Sequence, residues 1–366
     1  MKITVDTGKR EGVPMYILKG HTDPVWGMAF SPDGQTLATC SEDGSVRLWQ
    51  TDSGTPQCIL KHADVVWGVA FSPDGQTLAS GTNDGTVQLW QVASGKSLHV
   101  LKALSSVGPV AFSPDGQTLA SGSYKGFMQL WHVTDGHLMR TLKSHSDAVM
   151  SLAFSPDGQI LASGLGIGTI LLWHVTDDKS PVVLQGAAGN VWSVAFSPNG
   201  QVLASGSADY AVRLWRVSDG TLLHTLKGHT GPVLGVAFLP DGQTLVSGAG
   251  DGTVRLWQVT SGQPLCTLDT LGEFAGLLER VALSSAEDLA SESRNKREMV
   301  WSLTDERIRF LDGHLRFLCV LDEQDTVYSV SFSPDGRFLA IGVDKGTVCL
   351  YRADLVDLAR RHGKGV

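Results

Sequence analysis

The chain has 366 residues and a formal net charge of −8 at pH 7, and this acidic balance argues against a nucleic-acid partner, which is bound through clustered lysine and arginine side chains. No segment approaches the ~18 consecutive apolar residues of a membrane-spanning helix, and the N-terminus lacks the apolar core of a secretory signal peptide. The five cysteines have no regular spacing, so they indicate thiols in a reducing compartment, and we expect a cytoplasmic protein without a membrane partner.

From residue 30 onward, one phrase recurs through the chain. Near copies of AFSPDGQTLAS place their phenylalanine at Phe30, Phe71, Phe112, Phe154, Phe196, Phe238 and Phe332. The first six copies run on to a segment such as DGTVRLW, and the segments end 41 or 42 residues apart at Trp49, Trp90, Trp131, Trp173, Trp215 and Trp257. A seventh, eroded unit ends at Trp301 and an eighth at Tyr351. Repetition at this period is typical of a repeat architecture.

The sixth unit shows how each repeat divides into strands. Residues 233–238 and 243–248 are predicted strands, and the LPDG turn at 239–242 joins them, with proline setting φ and glycine taking the left-handed conformation. The AGDG turn at 249–252 leads into a third strand, and a fourth follows at 264–268. Four short strands bury both faces only when successive sheets stack around an axis, so the repeats predict a β-propeller.

The motifs resemble WD40 repeats: the LKGH segments at 18–21 and 226–229, the SPDG turns and the DG-x-V-x-LW strand ends. In this chain no tryptophan is followed by aspartate, a departure at a position that only ends a strand. The resemblance implies an all-β, eight-bladed propeller at 13–353 with a degenerate seventh repeat, an N-terminal tail at 1–12 and a short tail or helix at 354–366. Seven blades are the alternative. The eighth unit lacks a fourth strand, and PMYILKGH near the N-terminus matches the fourth strands elsewhere, so we expect it to complete the last blade and remove an open edge.

Polar side chains recur at the repeat period and invite a Ser-His-Asp interpretation. The resemblance implies instead a structural hydrogen-bond chain within a blade, because a nucleophile has no reason to recur with the repeat. The predicted networks are His21, Thr39, Asp43 and Trp49; His62, Ser80, Asp84 and Trp90; and His229, Ser247, Asp251 and Trp257. The fifth unit has Ala187 in place of the histidine and is expected to forgo ~1 kcal/mol of hydrogen bonding. Because no HxH, HExxH or phosphate-loop spacing occurs, we predict no catalytic residue, metal site or cofactor.

The binding prediction uses the least repetitive position of the units. In propellers of this family the residue after the opening valine of the first strand points into the mouth of the central channel, on the top face. The aligned repeats place there Trp26, Trp67, Gly108, Met150, Trp192, Leu234, Glu279 and Tyr328. Ring closure makes Tyr328, Trp26 and Trp67 neighbours, with Glu42 expected beside Trp26. An exposed aromatic patch marks a partner site, and an adjacent carboxylate favours a cation. The alternative is that these aromatics only plug the channel.

We therefore predict a non-catalytic scaffold or sensor module that binds a protein or peptide segment carrying arginine or lysine beside an apolar residue. The near-identity of the units is similar to that of bacterial WD40 proteins, so the recognition domain of a larger bacterial signalling or defence protein is an alternative. A propeller enzyme is the third class. It requires acid–base or metal-binding side chains at the channel mouth, where the aligned repeats supply Glu279 alone.

Overall fold

The computed structural model describes residues 16–143, 147–177, 179–269, 303–304, 307–308, 327–335, 337–343 and 346–352. Within these ranges the regular elements are 30 β-strands, and seven four-stranded antiparallel sheets contain all but two of them. The part of the chain so described contains no helix long and apolar enough to cross a membrane. The predicted tails at 1–12 and 354–366 lie outside the described residues, as does almost all of the predicted seventh repeat.

Each sheet is one blade, and its strands run from the central channel outward. Blades 1 to 3 consist of β2 (Val25–Phe30), β3 (Thr36–Ser41), β4 (Ser45–Gln50) and β5 (Pro56–Lys61); β6 (Val66–Phe71), β7 (Thr77–Thr82), β8 (Thr86–Gln91) and β9 (Lys96–Lys102); and β10 (Val107–Phe112), β11 (Thr118–Ser123), β12 (Phe127–His132) and β13 (Leu138–Lys143). Blades 4 to 6 consist of β14 (Val149–Phe154), β15 (Ile160–Leu165), β16 (Thr169–His174) and β17 (Val182–Gln185); β18 (Val191–Phe196), β19 (Val202–Ser207), β20 (Val212–Arg216) and β21 (Leu222–Leu226); and β22 (Val233–Phe238), β23 (Thr244–Ala249), β24 (Thr253–Gln258) and β25 (Pro264–Asp269). Blade 7 consists of β28 (Val327–Phe332), β29 (Phe338–Val343), β30 (Thr347–Arg352) and β1 (Tyr16–Lys19). The short strands β26 (Leu303–Thr304) and β27 (Arg307–Ile308) pair with each other.

In five of the seven blades the first turn is encoded by a Ser-Pro-Asp-Gly sequence, whereas the turn of blade 5 has Asn199 in place of the aspartate and that of blade 6 has Leu239 in place of the serine. In blade 1 the Asp33 carboxylate accepts hydrogen bonds from the Ser31 hydroxyl (2.5 Å) and the Gln35 amide (3.0 Å), and Gly34 has a φ of 69°. The hydrogen bond from Ser31, followed by that from Gln35, lowers the pKa of Asp33. The same bonds recur at Asp74, Asp115, Asp157 and Asp335. An aspartate that closes its own turn makes the hairpin a local property of the sequence.

The hydrophobic core lies between blades. Leu48 of blade 1 packs in one cluster with Trp90 of blade 2, whereas Trp49, its neighbour in sequence, packs with Leu18 and Val348 of blade 7. Successive residues of a strand point to opposite faces, so each sheet has two apolar faces to cover. Each blade therefore needs a neighbour on both sides, which only a closed ring supplies.

The ring closes through the N-terminal strand, as predicted. β1 pairs antiparallel with β30, with Tyr16 opposite Leu350 and Lys19 opposite Thr347. Beside this sheet, the Ser329 hydroxyl of blade 7 donates a hydrogen bond to the Val25 carbonyl oxygen of blade 1 (2.9 Å). The two ends of the described chain are thus joined within one blade.

Within the described residues the ring has seven blades, so the prediction of eight is wrong and the seven-blade alternative is confirmed. The inner strand β22 of blade 6 packs directly against β28, the inner strand of blade 7, and none of the described sheets lies between them. The prediction counted an extra blade from the tryptophan at position 301, although that unit lacks the SPDG and DG turns. Without those turns a repeat loses the local signal that folds four strands into successive hairpins.

Candidate functional site

The top-face rim is shaped by a β-bulge that recurs in the inner strands. The ladder between the first two strands of blades 1 and 2 skips one residue after the opening valine, so Trp26 and Trp67 have no opposite residue on the next strand. The same shift follows Val149, Val191 and Val233, which are fully buried. The buried valine anchors each strand, and the bulge redirects the side chain that follows it. Each of these blades thereby presents one variable residue at the rim.

Three aromatic side chains of blades 1 to 3 form a continuous cluster at this rim. The ring centroids of Trp26 and Trp67 lie 5.1 Å apart with the planes inclined at 59°. Those of Trp67 and Tyr124 lie 5.8 Å apart, edge to face at 87°. All three residues are partly exposed. Tilted and edge-to-face contacts suit the ring quadrupoles and stabilise the pairs beyond the area they bury. We call these three residues the aromatic platform.

The sequence prediction omitted Tyr124, which reaches the platform from the turn between β11 and β12. A Cβ atom added at Gly108 would lie 3.2 Å from Cζ of the Tyr124 ring, so the absence of a side chain at that rim position makes room for the ring. The sequence does contain a signal for this contact. Blade 3 has Gly108 at the rim position and has Tyr124 at the position where blade 1 has Glu42. Burial raises the pKa of Tyr124 to about 12, so its hydroxyl stays protonated at neutral pH.

The carboxylates of Glu42 and Asp64 lie at the part of the rim that blades 1 and 2 form. The Trp26 Nε1–H donates to Oε2 of the exposed Glu42 at 3.4 Å. Asp64 lies in the loop that leads to Trp67, and its Oδ2 accepts from the Asn83 side-chain amide at 3.1 Å. A carboxylate beside an aromatic face favours a bound cation.

The other predicted rim residues lie away from the aromatic platform or beyond the described residues. Met150, Trp192 and Leu234 occupy the bulges of blades 4 to 6 and are partly exposed. The backbone of Tyr328 lies in β28, but its side chain and the whole of Glu279 are outside the described residues, so their predicted positions stay predictions.

In blades 1 and 6 the predicted polar residues are joined in one hydrogen-bond chain. In blade 6, His229 Nδ1 lies 3.1 Å from Asp251 Oδ2 and His229 Nε2 lies 2.8 Å from Ser247 Oγ, which accepts from Trp257 Nε1 at 2.8 Å. The corresponding distances in blade 1 are 2.8, 2.8 and 2.9 Å, through His21, Asp43, Thr39 and Trp49. Each chain connects a loop, a turn and two strands of one blade.

The blade 6 network has the composition of a catalytic triad but a structural geometry. Ser247 is fully buried, and its oxygen is already engaged by both His229 and Trp257, so no substrate has access to it. Burial alone would raise the pKa of Asp251, but hydrogen bonds, first that from His229 and then those from Thr230 and Thr253, outweigh it and hold the pKa well below its ordinary value. The carboxylate stays ionised and ties the loop to the turn.

In blade 2 the predicted network is incomplete. His62 Nε2 lies 3.1 Å from Ser80 Oγ, which accepts from Trp90 Nε1 at 2.9 Å. Within the described chain no hydrogen bond joins His62 to Asp84, which is exposed and accepts instead from the Thr82 hydroxyl at 2.6 Å. Burial therefore lowers the pKa of His62 to about 4, opposed only in part by the charge of Asp84.

Blade 5 replaces its missing histidine with an arginine. Arg213 donates to both carboxylate oxygens of Asp209, at 3.0 and 2.6 Å, and the two side chains are only 11% and 15% exposed. The Ala188 amide donates to the same carboxylate at 3.0 Å. Arg213 on strand β20 thus offsets the hydrogen bonding that was expected to be lost at Ala187.

On the opposite face, the turn between β12 and β13 brings together residues that the sequence analysis left apart. His132, Asp135 and His137 place ligand atoms within 4.8 Å of one another. The expectation of no metal site rested on HxH and HExxH spacings, whereas a β-hairpin turn brings these residues together. Two imidazoles and a carboxylate are suitable ligands for a divalent metal ion.

The closed ring of seven four-stranded blades defines the chain as a repeat β-propeller. Two family profiles divide the sequence between them: "WD domain, G-beta repeat" matches residues 12–50, 220–258 and 306–352, and "IFT122 first beta-propeller" matches residues 57–218. The chain is a member of the WD40-repeat family.

Curated relatives share segments of about one repeat. "Striatin-4" of Homo sapiens is 50% identical over 52 residues, which are 14% of this chain and 7% of that protein. "SAGA complex/transcription factor TFIID complex subunit Taf5" of Schizosaccharomyces pombe is 53% identical over 38 residues, 10% of this chain and 6% of that protein. "Probable cytosolic iron-sulfur protein assembly protein CIAO1 homolog" of Ixodes scapularis is 46% identical over 41 residues, 11% of this chain and 13% of that protein. The matched segments span only a small part of each relative.

Proposed function

We propose that this propeller is a non-catalytic scaffold or sensor module and that its aromatic platform binds a protein or peptide segment. The observation that carries the proposal is the contact of Trp26, Trp67 and Tyr124 in one partly exposed cluster. Full burial of an exposed tryptophan removes roughly 150–250 Å², worth about 4–6 kcal/mol, and because these rings are already partly buried, covering one contributes only a part of that before the cost of association. Side chains held by ring contacts lose little conformational entropy on binding, which further favours this surface.

The carboxylate of Glu42 supports a bound segment that contains arginine or lysine. A cationic side chain placed over the Trp26 ring would meet the aromatic face and the charge of Glu42 together. An apolar neighbour in the same segment would cover Trp67. The net charge of −8 disfavours nucleic acid. The absence of a membrane partner and the cytoplasmic location stay predictions; two relatives carry "cytosolic" in their names.

A peptide array tests the platform directly. The peptides carry a central arginine or lysine flanked by leucine or phenylalanine, and they are probed with the native chain, a Trp26→Ala/Trp67→Ala double variant and Trp192→Ala. Trp192 is the matched control because it occupies the equivalent bulge of blade 5. The double variant should lose binding that the Trp192 variant keeps. Equal capture by all three proteins would refute the platform as the binding site.

A second variant separates the cation from the aromatic contact. Glu42→Gln removes the charge and keeps the shape, so it should weaken arginine and lysine peptides about fivefold or more while leaving purely apolar peptides unchanged. Unchanged affinity for the cationic peptides would remove Glu42 from the proposal and leave an aromatic site without charge selectivity.

A second candidate is that this propeller is the recognition domain of a larger protein. Two of the relatives favour it, because segments of 52 and 38 residues that make up only 7% of striatin-4 and 6% of Taf5 belong to proteins longer than this chain, whereas the CIAO1 homolog, matched over 41 residues that are 13% of its length, is not longer. Membership of a bacterial signalling or defence protein stays a prediction. Detection of the native protein in its own cells with an antibody decides the matter: a species near 39.0 kDa supports a free-standing adaptor, and a much heavier species supports a domain.

A further inference from the structure

The turn between β12 and β13 gathers two imidazoles around one carboxylate oxygen. His132 Nδ1 lies 2.9 Å and His137 Nδ1 lies 2.6 Å from Asp135 Oδ1, and the two ring centroids are 5.1 Å apart. The His132 side chain is 32% exposed and the other two are 58% exposed, so an ion in solution can reach all three. We propose that this turn binds a divalent transition-metal ion, with Zn²⁺ as the ion that the donor set fits.

The donor atoms suit Zn²⁺ in kind and in spacing. Imidazole nitrogen and carboxylate oxygen are ordinary zinc ligands, with bonds of about 2.0–2.2 Å, which place tetrahedral ligand atoms about 3.3 Å apart. Ligand atoms already within 4.8 Å of one another reach that spacing by small rotations of the side chains. Three protein ligands leave a fourth position toward solvent for water or for a donor from another molecule.

Backbone hydrogen bonds fix the turn that carries the three ligands. The His132 amide donates to the His137 carbonyl oxygen and the Gly136 amide donates to the His132 carbonyl oxygen, each at 2.9 Å. Gly136 has a φ of 71°, which closes the turn tightly. His99 of blade 2 lies behind the turn, with its Nε2 3.0 Å from the Thr134 carbonyl oxygen. A rigid turn loses little freedom on binding, which favours affinity.

In other blades the same turn has a side-chain hydrogen bond between its first and fourth residues, as His132 and Asp135 have in blade 3. The pairs are Gln91 with Ser94 (2.6 Å), Arg216 with Asp219 (3.0 Å) and Gln258 with Ser261 (2.8 Å). The contact therefore belongs to the repeat, whereas the metal-ligand side chains are particular to blade 3. Blade 4 has His174 and Asp177 at these positions, but Lys179 replaces the second imidazole and pairs with the aspartate at 2.8 Å. Among the described turns of this type, that of blade 3 alone carries both histidines.

The repeat supplies substitutions that the turn already tolerates. His132→Gln copies the turn of blades 2 and 6, and His137→Lys copies blades 2 and 4, so the double variant should fold, which circular dichroism checks. Calorimetric titration with ZnCl₂ should show one saturable site in the native chain and at least about tenfold weaker binding in the double variant. His174→Gln is the matched control and should bind like the native chain. No saturable binding to the native chain, or equal binding to the double variant, would overturn the proposal.

A measurement on the native chain keeps the proposal testable without variants. Carbethoxylation of histidine, mapped by mass spectrometry, should slow at His132 and His137 when Zn²⁺ is added, while His174 and His224 react at unchanged rates. Slowing at all four histidines, or at neither member of the proposed pair, would contradict a site at this turn.

Discussion

Removing the carboxylate of Asp251 should destabilise the propeller without changing its binding surface. Asp251 accepts hydrogen bonds from the Thr230 amide (2.7 Å) and the Thr253 amide (2.9 Å) and lies 3.1 Å from His229 Nδ1. The His229 and Asp251 side chains are 1% and 6% exposed, so water cannot replace the carboxylate, and the Thr253 hydroxyl, 3.0 Å from His229 Nδ1, is the remaining described partner of that nitrogen. An unsatisfied buried polar group costs about 1–3 kcal/mol, and the two amides add about 1 kcal/mol, so Asp251→Ala should lower the free energy of unfolding by about 2–4 kcal/mol.

The equivalent residue of blade 2 is the matched control. Asp84 is exposed, has no hydrogen bond to His62 within the described chain and accepts from the Thr82 hydroxyl (2.6 Å) and the Thr86 amide (2.9 Å), so Asp84→Ala should cost only about 1 kcal/mol, less than Asp251→Ala. An unfolding entropy of about 2.1 cal/mol/K per residue gives ~0.8 kcal/mol/K for 366 residues, so Asp251→Ala should lower the Tm by about 3–5 °C. Differential scanning calorimetry measures both variants, and an equal Tm for Asp251→Ala and the native chain would refute the network.

The pH dependence provides a second measurement of the same network. The folded-state pKa of Asp251 lies below its ordinary value of 3.8, so its contribution to stability is complete above that pH and disappears as the pH falls through the lower, folded-state pKa. The difference in stability between the native chain and Asp251→Ala should therefore be constant from pH 7 to about pH 5 and shrink below about pH 4. A difference that grew on acidification would contradict the assignment.

Arg213→Ala should destabilise the chain by about 2–4 kcal/mol in chemical denaturation, because it leaves Asp209 buried without its bidentate partner. This cost should exceed that of Arg255→Ala, at the equivalent position of blade 6. The reverse order would contradict the proposal that Arg213 compensates for the missing histidine of blade 5. Folding lowers the pKa of His62 from 6.5 to about 4, so acidification across that range should destabilise the native chain. His62→Gln should flatten the dependence of stability on pH in that range. Identical stability profiles for the native chain and the variant would refute the contribution of His62. Leu18→Ala on the closing strand β1 should lower the free energy of unfolding by about 2–4 kcal/mol and speed amide hydrogen exchange in β30. Ile17→Ala is the control and should do neither, because the Ile17 side chain is 45% exposed. Equal losses of stability in the two variants would contradict closure through β1.

The recurring networks also explain why a Ser-His-Asp pattern in this chain carries no catalytic meaning. A catalytic hydroxyl must meet substrate, yet Ser247 and the equivalent Thr39 are both fully buried, and each oxygen accepts the indole N–H of the same blade. The exposed part of the rim is aromatic and acidic at Trp26, Trp67 and Glu42. Chemistry that recurs with the repeat stabilises the blades, and residues that differ between blades are free to serve binding.

The sequence by itself determined the features that depend on neighbouring residues. The Ser-Pro-Asp-Gly turns close on their own side chains, as at Asp33, so the hairpins and the four-strand unit could be predicted, and the strand match at the N-terminus predicted the closure through β1. The tertiary structure decided the number of blades and which side chains meet. The number of blades follows from the direct packing of β22 on β28, which a count of tryptophans does not reveal. Tyr124 joins the rim because Gly108 leaves space for its ring, and Arg213 reaches Asp209 in a blade that lacks the histidine. Gly108 and Tyr124 both lie in blade 3, and Asp209 and Arg213 are only four residues apart, so these two contacts follow from how a single blade folds, whereas the packing of β22 on β28 follows from the closure of the ring.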